Sequence, residues 1–308
     1  MILSSQSLKK LPLAKAKYNK ALIVVVGPTA SGKSSLAHAL ARTYRAAIIC
    51  ADSRTIYQGL TIGSAKPTKE ERAEIAYYGL DLIAPDQQFS AYDFVTYAKS
   101  ALEEIWRQQK IAIVVGGSGM YIDALLFDYA FRQAIRSADD LRGLSDNDVK
   151  KIVLKLYPEK ISEYDLANRR RLEHIYERGI AIASDRKSIK YDALLLGLGK
   201  NKQLLKQNIQ YRLNKMLNQG FVQEVKELRA IYSHDAPGLN ATGYRAINRI
   251  LNEKGDEAHI FMAVERETTQ LAKKQLTWFN RNPYITWLDS SDQAVKLVDD
   301  YLARKRVQ

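Results

Sequence analysis

Short apolar runs rich in Val, Ile and Leu alternate along the chain with longer stretches in which apolar residues recur every three or four positions. The short runs are apolar at successive positions, which is typical of strands buried on both faces of a sheet. Alternation of this kind predicts an α/β fold, with a mostly parallel sheet wrapped by helices. The predicted strands are residues 21–26, 46–51, 79–84, 111–116 and 192–198, followed by a short late strand at 284–288.

The helical stretches are marked by amphipathic spacing and, in one case, by a capping signal. Ser90 and Asp93 have capping-box spacing, which predicts a helix that begins directly after Ser90. Beyond the fifth strand the chain is predicted to be almost wholly helical. The predicted helices there are residues 202–219, 221–232, 256–281 and 291–305.

The alternation stops between residues 127 and 190, where no strand pattern occurs and charged helical stretches predominate. We therefore predict a small all-helical insertion at 127–190, within a core formed by 21–126 and 191–308. Residues 1–20 contain five lysines and no acidic residue, which predicts a basic tail.

Composition narrows the choice of partner and compartment. The 308 residues include 47 Lys and Arg against 34 Asp and Glu, and the net charge of +13 favours a polyanionic partner. Cys50 is the only cysteine, so an intrachain disulfide or a zinc cluster is excluded and a reducing, cytoplasmic setting fits best. No apolar run approaches the length of a membrane helix, so we expect no membrane span.

The first predicted strand runs into GPTASGKS, which matches the GxxxxGKS pattern of a phosphate-binding loop in a P-loop NTPase-like fold. Backbone N–H groups and the N-terminus of the next helix bind phosphates in such loops. The pattern predicts that Lys33 neutralises phosphate oxygens and that the Ser34 hydroxyl holds Mg²⁺. It indicates a diphosphate or triphosphate, but not a reaction. The predicted phosphate-binding residues are Gly27, Pro28, Thr29, Ala30, Ser31, Gly32, Lys33 and Ser34.

Asp52 stands where the second predicted strand ends. The carboxyl ends of parallel strands line the ligand crevice, so Asp52 should face the phosphate loop. A carboxylate in that place could act as a general base, cap a turn or help to hold magnesium. A kinase would also use such an Asp, and NRRRLEHIYER could be its arginine-rich lid or an ordinary solvated helix face.

Five sequence blocks together resemble those of the tRNA dimethylallyltransferases, the IPP transferase family. The blocks are GPTASGKS (27–34), ADSRTIYQGLTIGSAKP (51–67), VVGGSGMYIDALL (114–126), NATGYRAI (240–247) and LAKKQLTWF (271–279). They keep the order of the family and span most of the chain. The resemblance implies transfer of a dimethylallyl group from its diphosphate to the exocyclic amine of the adenosine 3′ of the anticodon in tRNA.

The resemblance also implies roles for individual residues. The loop would hold dimethylallyl diphosphate, with Mg²⁺ as cofactor and no need for ATP. Thr29 matches a catalytic threonine near the bridging oxygen, and Asp52 matches the general base that accepts the proton of the amine. Arg212 matches an arginine in contact with the diphosphate. Arg245 is a further candidate for the diphosphate, or for the RNA backbone.

The family further implies that the target adenine is flipped out of the anticodon stem-loop into a channel across the core. Cations would position the RNA, and aromatic side chains would stack on its bases. Ser118 could equally be a helix N-cap. The residues that match tRNA-contacting positions are Asp52, Ser53, Arg54, Thr55, Ser118, Arg142, Arg170, Arg171, Gly243, Tyr244, Arg245, Lys273, Lys274, Gln275, Trp278 and Arg281.

Three positions depart from the family pattern. Asn208 and His174 stand where arginines are usual, and Asn280 occupies the place after TWF where an arginine is expected before Arg281. Asn208 affects the expected arginine contacts with the diphosphate, and His174 and Asn280 each affect an expected RNA contact. The resemblance suggests a monomer, and the zinc-finger extension of some eukaryotic relatives is absent from the sequence.

Three alternatives stay open from the sequence. A P-loop small-molecule kinase accounts for the loop and Asp52, but not for the C-terminal basic blocks. A non-catalytic RNA-binding protein with a relic loop conflicts with the intact Lys33, Ser34 and Asp52. A prenyltransferase acting on free adenine nucleotides would not account for the blocks that resemble tRNA-binding segments.

Overall fold

The structure, a computed structural model, describes residues 20–127, 129, 135–158, 166, 169–178, 188–199, 201–253 and 255–306. Apart from Lys20, the predicted basic tail lies outside the described residues. The chain divides into two compact units: a larger one that ends its first segment at Leu126 and resumes at Lys190, and a smaller one within Phe127–Ile189.

The larger unit is built on a six-stranded sheet in which all neighbouring strands are parallel. Its spatial order is β3-β2-β4-β1-β5-β6. The buried strand β1 lies between β4 and β5, as expected for a run that is apolar at every position. The fold-class prediction is confirmed. The strands are β1 (Leu22–Val26), β2 (Ala47–Cys50), β3 (Tyr77–Tyr78), β4 (Ala112–Gly116), β5 (Ala193–Gly197) and β6 (Thr286–Trp287).

The third strand lies earlier than the apolar pattern predicted, so the prediction of a strand at 79–84 is wrong. The paired residues are Tyr77–Tyr78. Gly79, at φ +80°, and Asp81, at φ +54°, then turn the chain out of the sheet, and Ile83 forms only an isolated bridge. Leu82 and Ile83 of this run pack instead against the helical cluster beyond the sheet, whereas Leu80 packs against the cluster on the sheet.

Helices follow the strands and make up most of the rest of the described chain. None of the described helices is long and apolar enough to cross a membrane. The helices are α1 (Lys33–Tyr44), α2 (Lys69–Glu74), α3 (Ala91–Arg107), α4 (Gly119–Leu126), α5 (Asp146–Leu156), α6 (Arg169–Arg178), α7 (Lys202–Asn218), α8 (Phe221–Ile231), α9 (Tyr244–Asn252), α10 (Ile260–Phe279) and α11 (Ser291–Lys305).

The capping box predicted at Ser90 is confirmed. The Ser90 hydroxyl accepts the N–H of Asp93 at 3.3 Å, and the Asp93 carboxylate accepts the N–H of Ser90 at 2.8 Å. Two orphan donors at the start of α3 are satisfied in this way. Helix α9 had not been predicted. It begins after Gly243, whose φ of +89° turns the chain sharply.

Two hydrophobic clusters organise the larger unit. Helices α1 and α11 cover one face of the sheet, where Leu40 and Val298 pack with strand residues such as Ile23. Helix α3 packs against β2 and β4. A second cluster joins the segment 56–60 to α7, α8, α9 and the start of α10. This arrangement encloses the carboxyl ends of the central strands.

The smaller unit has its own core. Helices α5 and α6, with a 3₁₀ turn at Ala138–Leu141, pack around five buried apolar residues. No strand occurs among its described residues, in agreement with the helical pattern of the sequence. The core residues are Leu141, Val149, Val153, Leu172 and Ile175.

Buried Glu224 of α8 fixes the loop that follows β2. Its carboxylate accepts the N–H groups of Thr61, Ile62 and Gly63 at 2.9, 2.7 and 3.1 Å, and the phenol of Tyr244 at 2.6 Å. Charge-assisted hydrogen bonds of this kind are stronger than neutral ones and offset the cost of burying a carboxylate. Glu224 therefore ties α8 and α9 to the loop.

Replacing Glu224 by alanine should lower the free energy of unfolding by about 3 kcal/mol or more, because several buried donors lose their acceptor. Urea unfolding followed by tryptophan fluorescence measures this change, since every tryptophan lies in the larger unit. Glu227→Ala, at an exposed position of the same helix, is the control and should stay within about 0.5 kcal/mol of the parent. Equal stability of the two variants would contradict the anchoring role.

Candidate active site

The phosphate loop leaves β1 at Gly27 and enters α1 at Lys33. Its backbone curls at Ala30, with φ of +62°, and at Gly32, with φ of +89°. Within the described chain, no side chain caps the N-terminus of α1, and its first turn has no acidic residue. The free N–H groups and the positive end of the helix dipole make this a site for an anion.

The loop opens onto a cavity of about 1000 Å³ at the carboxyl ends of the central strands. It is lined by the loop with the start of α1, by β2 and the chain from its end to β3 and just beyond, by the end of β4, and by one face of α7. The structure thus brings together residues that are far apart in sequence. The lining includes Thr29, Lys33, Ser34, Asp52, Arg54, Asn208, Arg212 and Lys215.

Asp52 and Arg54 form an ion pair on the cavity wall. The Asp52 carboxylate accepts the backbone N–H of Arg54 at 2.9 Å and its guanidinium at 3.3 and 3.4 Å. Burial raises the pKa of Asp52, but the Arg54 guanidinium, its hydrogen bonds and the Lys33 charge outweigh burial and lower the pKa to about 2. Asp52 is therefore ionised at neutral pH.

Lys33 is buried, and its ammonium donates to the carbonyl of Pro28 at 3.1 Å. Burial lowers the pKa of Lys33 to about 7, with further lowering by Arg212 and Arg54 that Asp52 partly offsets. An anion placed in the loop would restore the charged form.

Arg212 projects from α7 into the same cavity. Burial, together with the charge of Arg54, lowers the pKa of Arg212 to about 10. Among the described residues we find no hydrogen bond or ion pair of its guanidinium. Lys33, Arg54 and Arg212 thus face a single carboxylate, Asp52, and this excess of positive charge favours a multiply charged anion.

A smaller cavity of about 20 Å³ adjoins the first. Its further lining is largely apolar and includes Phe221 and Val264, with Gly243 at its edge. Polar groups and apolar walls therefore meet at one place. The residues that line both cavities are Thr29, Arg54, Arg212 and Met216.

Two predicted tRNA contacts are buried and engaged inside the protein. Tyr244 is 0% exposed and packs edge-on against Phe221, and its phenol donates to Glu224. Thr55 is 7% exposed, and its hydroxyl donates to the carbonyls of Asp52 and Gly79, although the residue lines the large cavity. The tRNA contact of both residues stays a prediction.

Arg245 is not brought to the diphosphate cavity. Its guanidinium is about half exposed and forms an ion pair with Glu267 at 3.2 Å. It lines neither cavity. The structure therefore does not bring Arg245 to this cavity, and both the diphosphate contact and the RNA contact stay predictions.

The block around α10 separates into buried and exposed positions. Gln275 is buried and bonds to backbone groups at the loop and after β4. The half-buried Trp278 donates its indole N–H to Asp123 at 2.8 Å. The predicted RNA contacts that remain exposed there are Lys273, Lys274 and Arg281.

The remaining predicted RNA contacts lie on the loops and on the smaller unit. Ser53 is exposed, and its N–H donates to the Ser118 hydroxyl at 3.0 Å. On the smaller unit, Arg142 is exposed and pairs with Asp139, and Arg171 is also exposed. The side chains of Arg170 and His174 lie outside the described residues.

Sequence reasoning missed the anchoring role of Glu224. Its signal was an acid inside the apolar stripe of α8, between Phe221 and Val225. Lys215 was also missed, although it follows Arg212 by three residues and so shares its helix face. Asn208, where an arginine was expected, donates to the carbonyl of Ala30 at 3.1 Å and so contacts the loop itself.

Binding of isopentyl diphosphate, a saturated alkyl diphosphate, should draw a proton onto Lys33. The pKa of Lys33 is about 7 in the free protein and rises when the anion binds. Above pH 7 the free form loses this proton while the bound form keeps it, so affinity should fall by up to about tenfold per pH unit. Calorimetry in buffers of different ionisation heat measures the uptake.

Two variants, each of which loses one lysine charge, test this assignment. Lys33→Met should abolish the proton uptake, whereas Lys206→Met, exposed on α7, should retain it. Uptake that persists in Lys33→Met would show that another group titrates.

Comparison with known proteins places the chain in a family. The IPP transferase family matches residues 55–282, which is more than half of the chain. The tRNA dimethylallyltransferase of Staphylococcus epidermidis is 31% identical over 297 residues, covering 91% of this chain and 90% of that protein. The tRNA dimethylallyltransferase 1 of Syntrophotalea carbinolica is 34% identical, covering 91% of this chain and 96% of its own.

A solved structure agrees with these sequence matches. The crystal structure of a tRNA delta(2)-isopentenylpyrophosphate transferase from Staphylococcus epidermidis matches with a TM-score of 0.70 at 30% identity. The match covers 92% of this chain and 99% of that chain. The phosphate loop, Asp52 and Arg212 line one cavity, in agreement with these matches. The chain belongs to the IPP transferase family.

Proposed function

We propose that this protein transfers a dimethylallyl group from dimethylallyl diphosphate to the exocyclic amine of the adenosine 3′ of the anticodon in tRNA, releasing diphosphate. The observation that carries the proposal is the shared cavity of the phosphate loop, Asp52 and Arg212 in a chain of this family. The names of the relatives, tRNA dimethylallyltransferases, support the same reaction.

The cations of the large cavity act on the leaving group. As the allylic C–O bond breaks, negative charge develops on the diphosphate, and cations already in place lower the barrier. Lys33 and Arg212 line the cavity with the open N-terminus of α1, and their charge is not balanced by Asp52 alone. Thr29 lines both cavities, a position that supports a role beside the bond that breaks.

Asp52 accepts the proton of the adenine amine as the new C–N bond forms. Its low pKa keeps the carboxylate ionised and also makes it a weak base. A weak base suffices because the nitrogen becomes strongly acidic once it bears the fourth substituent. Arg54 holds the carboxylate until the adenine arrives and competes for it.

Mg²⁺ is the proposed cofactor, and the residues present fit it. The exposed Ser34 hydroxyl at the start of α1 and the Asp52 carboxylate line the same cavity. Among the described residues no cluster of three or more acidic, His or Cys side chains could hold a metal, which suits an ion held mainly by substrate phosphates and water. Bound Mg²⁺ would neutralise charge on the diphosphate oxygens.

The tRNA is held by exposed cations. Lys273, Lys274 and Arg281 are exposed at the C-terminal part of α10 and just beyond it. Phosphate contacts of this type position an RNA without reading its sequence. The monomeric state and the cytoplasmic location stay predictions.

A P-loop kinase, the alternative from the sequence, is disfavoured by family membership.

The direct test is incubation with labelled dimethylallyl diphosphate and unmodified tRNA bearing adenine 3′ of the anticodon, without ATP. We expect label on the tRNA at that adenosine, detected after nuclease digestion. A tRNA with guanosine at the same position is the matched control and should stay unlabelled. Transfer only in the presence of ATP would point to the kinase, and no transfer at all would exclude the proposed reaction.

Asp52→Asn should lower the turnover number by about 10²- to 10⁴-fold, because the amide keeps its contact with Arg54 but accepts no proton. Affinity for tRNA should be retained, as measured by filter binding. Asp86→Asn, at an exposed position, is the control and should match the parent. An unchanged turnover number in Asp52→Asn would remove Asp52 as the base.

A further inference from the structure

Gln275 of α10 is buried, and its carboxamide bonds to two backbone groups. Its oxygen accepts the N–H of Thr29 at 2.8 Å, and its nitrogen donates to the carbonyl of Gly117 at 3.0 Å. A backbone N–H can only donate and a carbonyl can only accept, so the two partners fix the orientation of the amide. A buried amide costs free energy unless its ends are bonded in this way.

The peptide unit between Pro28 and Thr29 is held at both of its polar groups. Its carbonyl accepts the Lys33 ammonium at 3.1 Å and the N–H of Ser31 at 3.3 Å. Its N–H is taken by Gln275. The peptide cannot turn without breaking one of these bonds, and the bond from Gln275 restrains the backbone at Thr29 from outside the loop.

Gly117 makes the contact with Gln275 possible. A Cβ at this position would lie 2.4 Å from the side-chain nitrogen of Gln275, the mobile end of that side chain. The backbone of Gly117 lies outside the left-handed region, so alanine would fit the backbone and displace the amide. The geometry therefore depends on both residues.

We infer that Gln275 is a positioning residue, which orients Thr29 at the junction of the two cavities, and that it is not an RNA contact. The kinetic consequence of this inference rests on the proposed function. The structural consequence, a restrained loop, rests on the hydrogen bonds alone. The neighbours Lys273 and Lys274 are exposed, so one helix anchors the loop and presents cations to solvent.

Three variants distinguish a positioning role of Gln275 from an RNA contact and from a purely structural role. Gln275→Met keeps the length of the side chain and removes both hydrogen bonds. Gly117→Ala keeps the glutamine and displaces its amide. Gln223→Met, at an exposed position of α8, is the matched control.

At saturating tRNA and dimethylallyl diphosphate, both Gln275→Met and Gly117→Ala should lower kcat by about 10- to 100-fold, because a misplaced catalytic group is costly. The Kd for tRNA should stay within about twofold of the parent, and Gln223→Met should match it in every respect. A weakened Kd for tRNA with an unchanged kcat would identify Gln275 as an RNA contact. A lowered Tm with an unchanged kcat would show that the role of Gln275 is purely structural. Either result overturns the inference.

Hydrogen exchange of the loop gives a readout that does not depend on the reaction. The peptide covering 27–33 should exchange faster in Gln275→Met and Gly117→Ala than in the parent, and unchanged exchange would overturn the inference. If the parent transfers no label, the proposed function fails while this measurement still decides the restraint on Thr29. If Gln275→Met does not fold, Gly117→Ala decides, since it leaves the glutamine in place.

Discussion

An excess of buried positive charge over its single carboxylate is the constraint on which the site depends. Lys33, Arg54 and Arg212 lie close to a single carboxylate, and the free N-terminus of α1 adds to the imbalance. Such an arrangement is costly in the free protein, as the lowered pKa values of Lys33 and Arg212 indicate. A bound anion would remove that cost. In the proposed reaction the anion is a diphosphate that becomes more negative as the C–O bond breaks, so the complementarity of the site would grow during that step.

The fold supplies this constraint through the parallel sheet. The carboxyl ends of parallel strands lie at the same edge of the sheet. The loop after β1 and the segment of Asp52 after β2 therefore meet there, although they are not adjacent in sequence. Close backbone approach is needed at that edge. A Cβ on Gly116 would lie 1.9 Å from the carbonyl of Ala51, and one on Gly27 would lie 2.6 Å from the carbonyl of Leu198. Glycines at these points let adjacent loops close over the strand ends.

The sequence predicts the parts of the site that are local, and it fails where packing decides. The loop, Asp52 and the capping box at Ser90 follow from spacing within a few residues. The third strand was misplaced because Leu82 and Ile83 of the apolar run at 79–84 pack against helices, while the paired tyrosines carry no strand pattern. Tyr244 and Gln275 lie in blocks expected to contact RNA, yet both are buried, which the sequence pattern does not show. A motif shows that two residues occur together, but only the fold shows which of them faces inward.

Gln275 shows how a single helix serves two sides of the reaction. A long helix has room for different tasks on its faces, because residues at neighbouring positions point in directions about 100° apart. On α10, Lys273 and Lys274 face solvent, while Gln275 faces the loop and Trp278 reaches Asp123. Through the Gln275 carboxamide, α10 is joined to the peptide of Thr29 by one hydrogen bond and to the carbonyl of Gly117 by a second. The backbone of the phosphate loop is therefore tied to that helix.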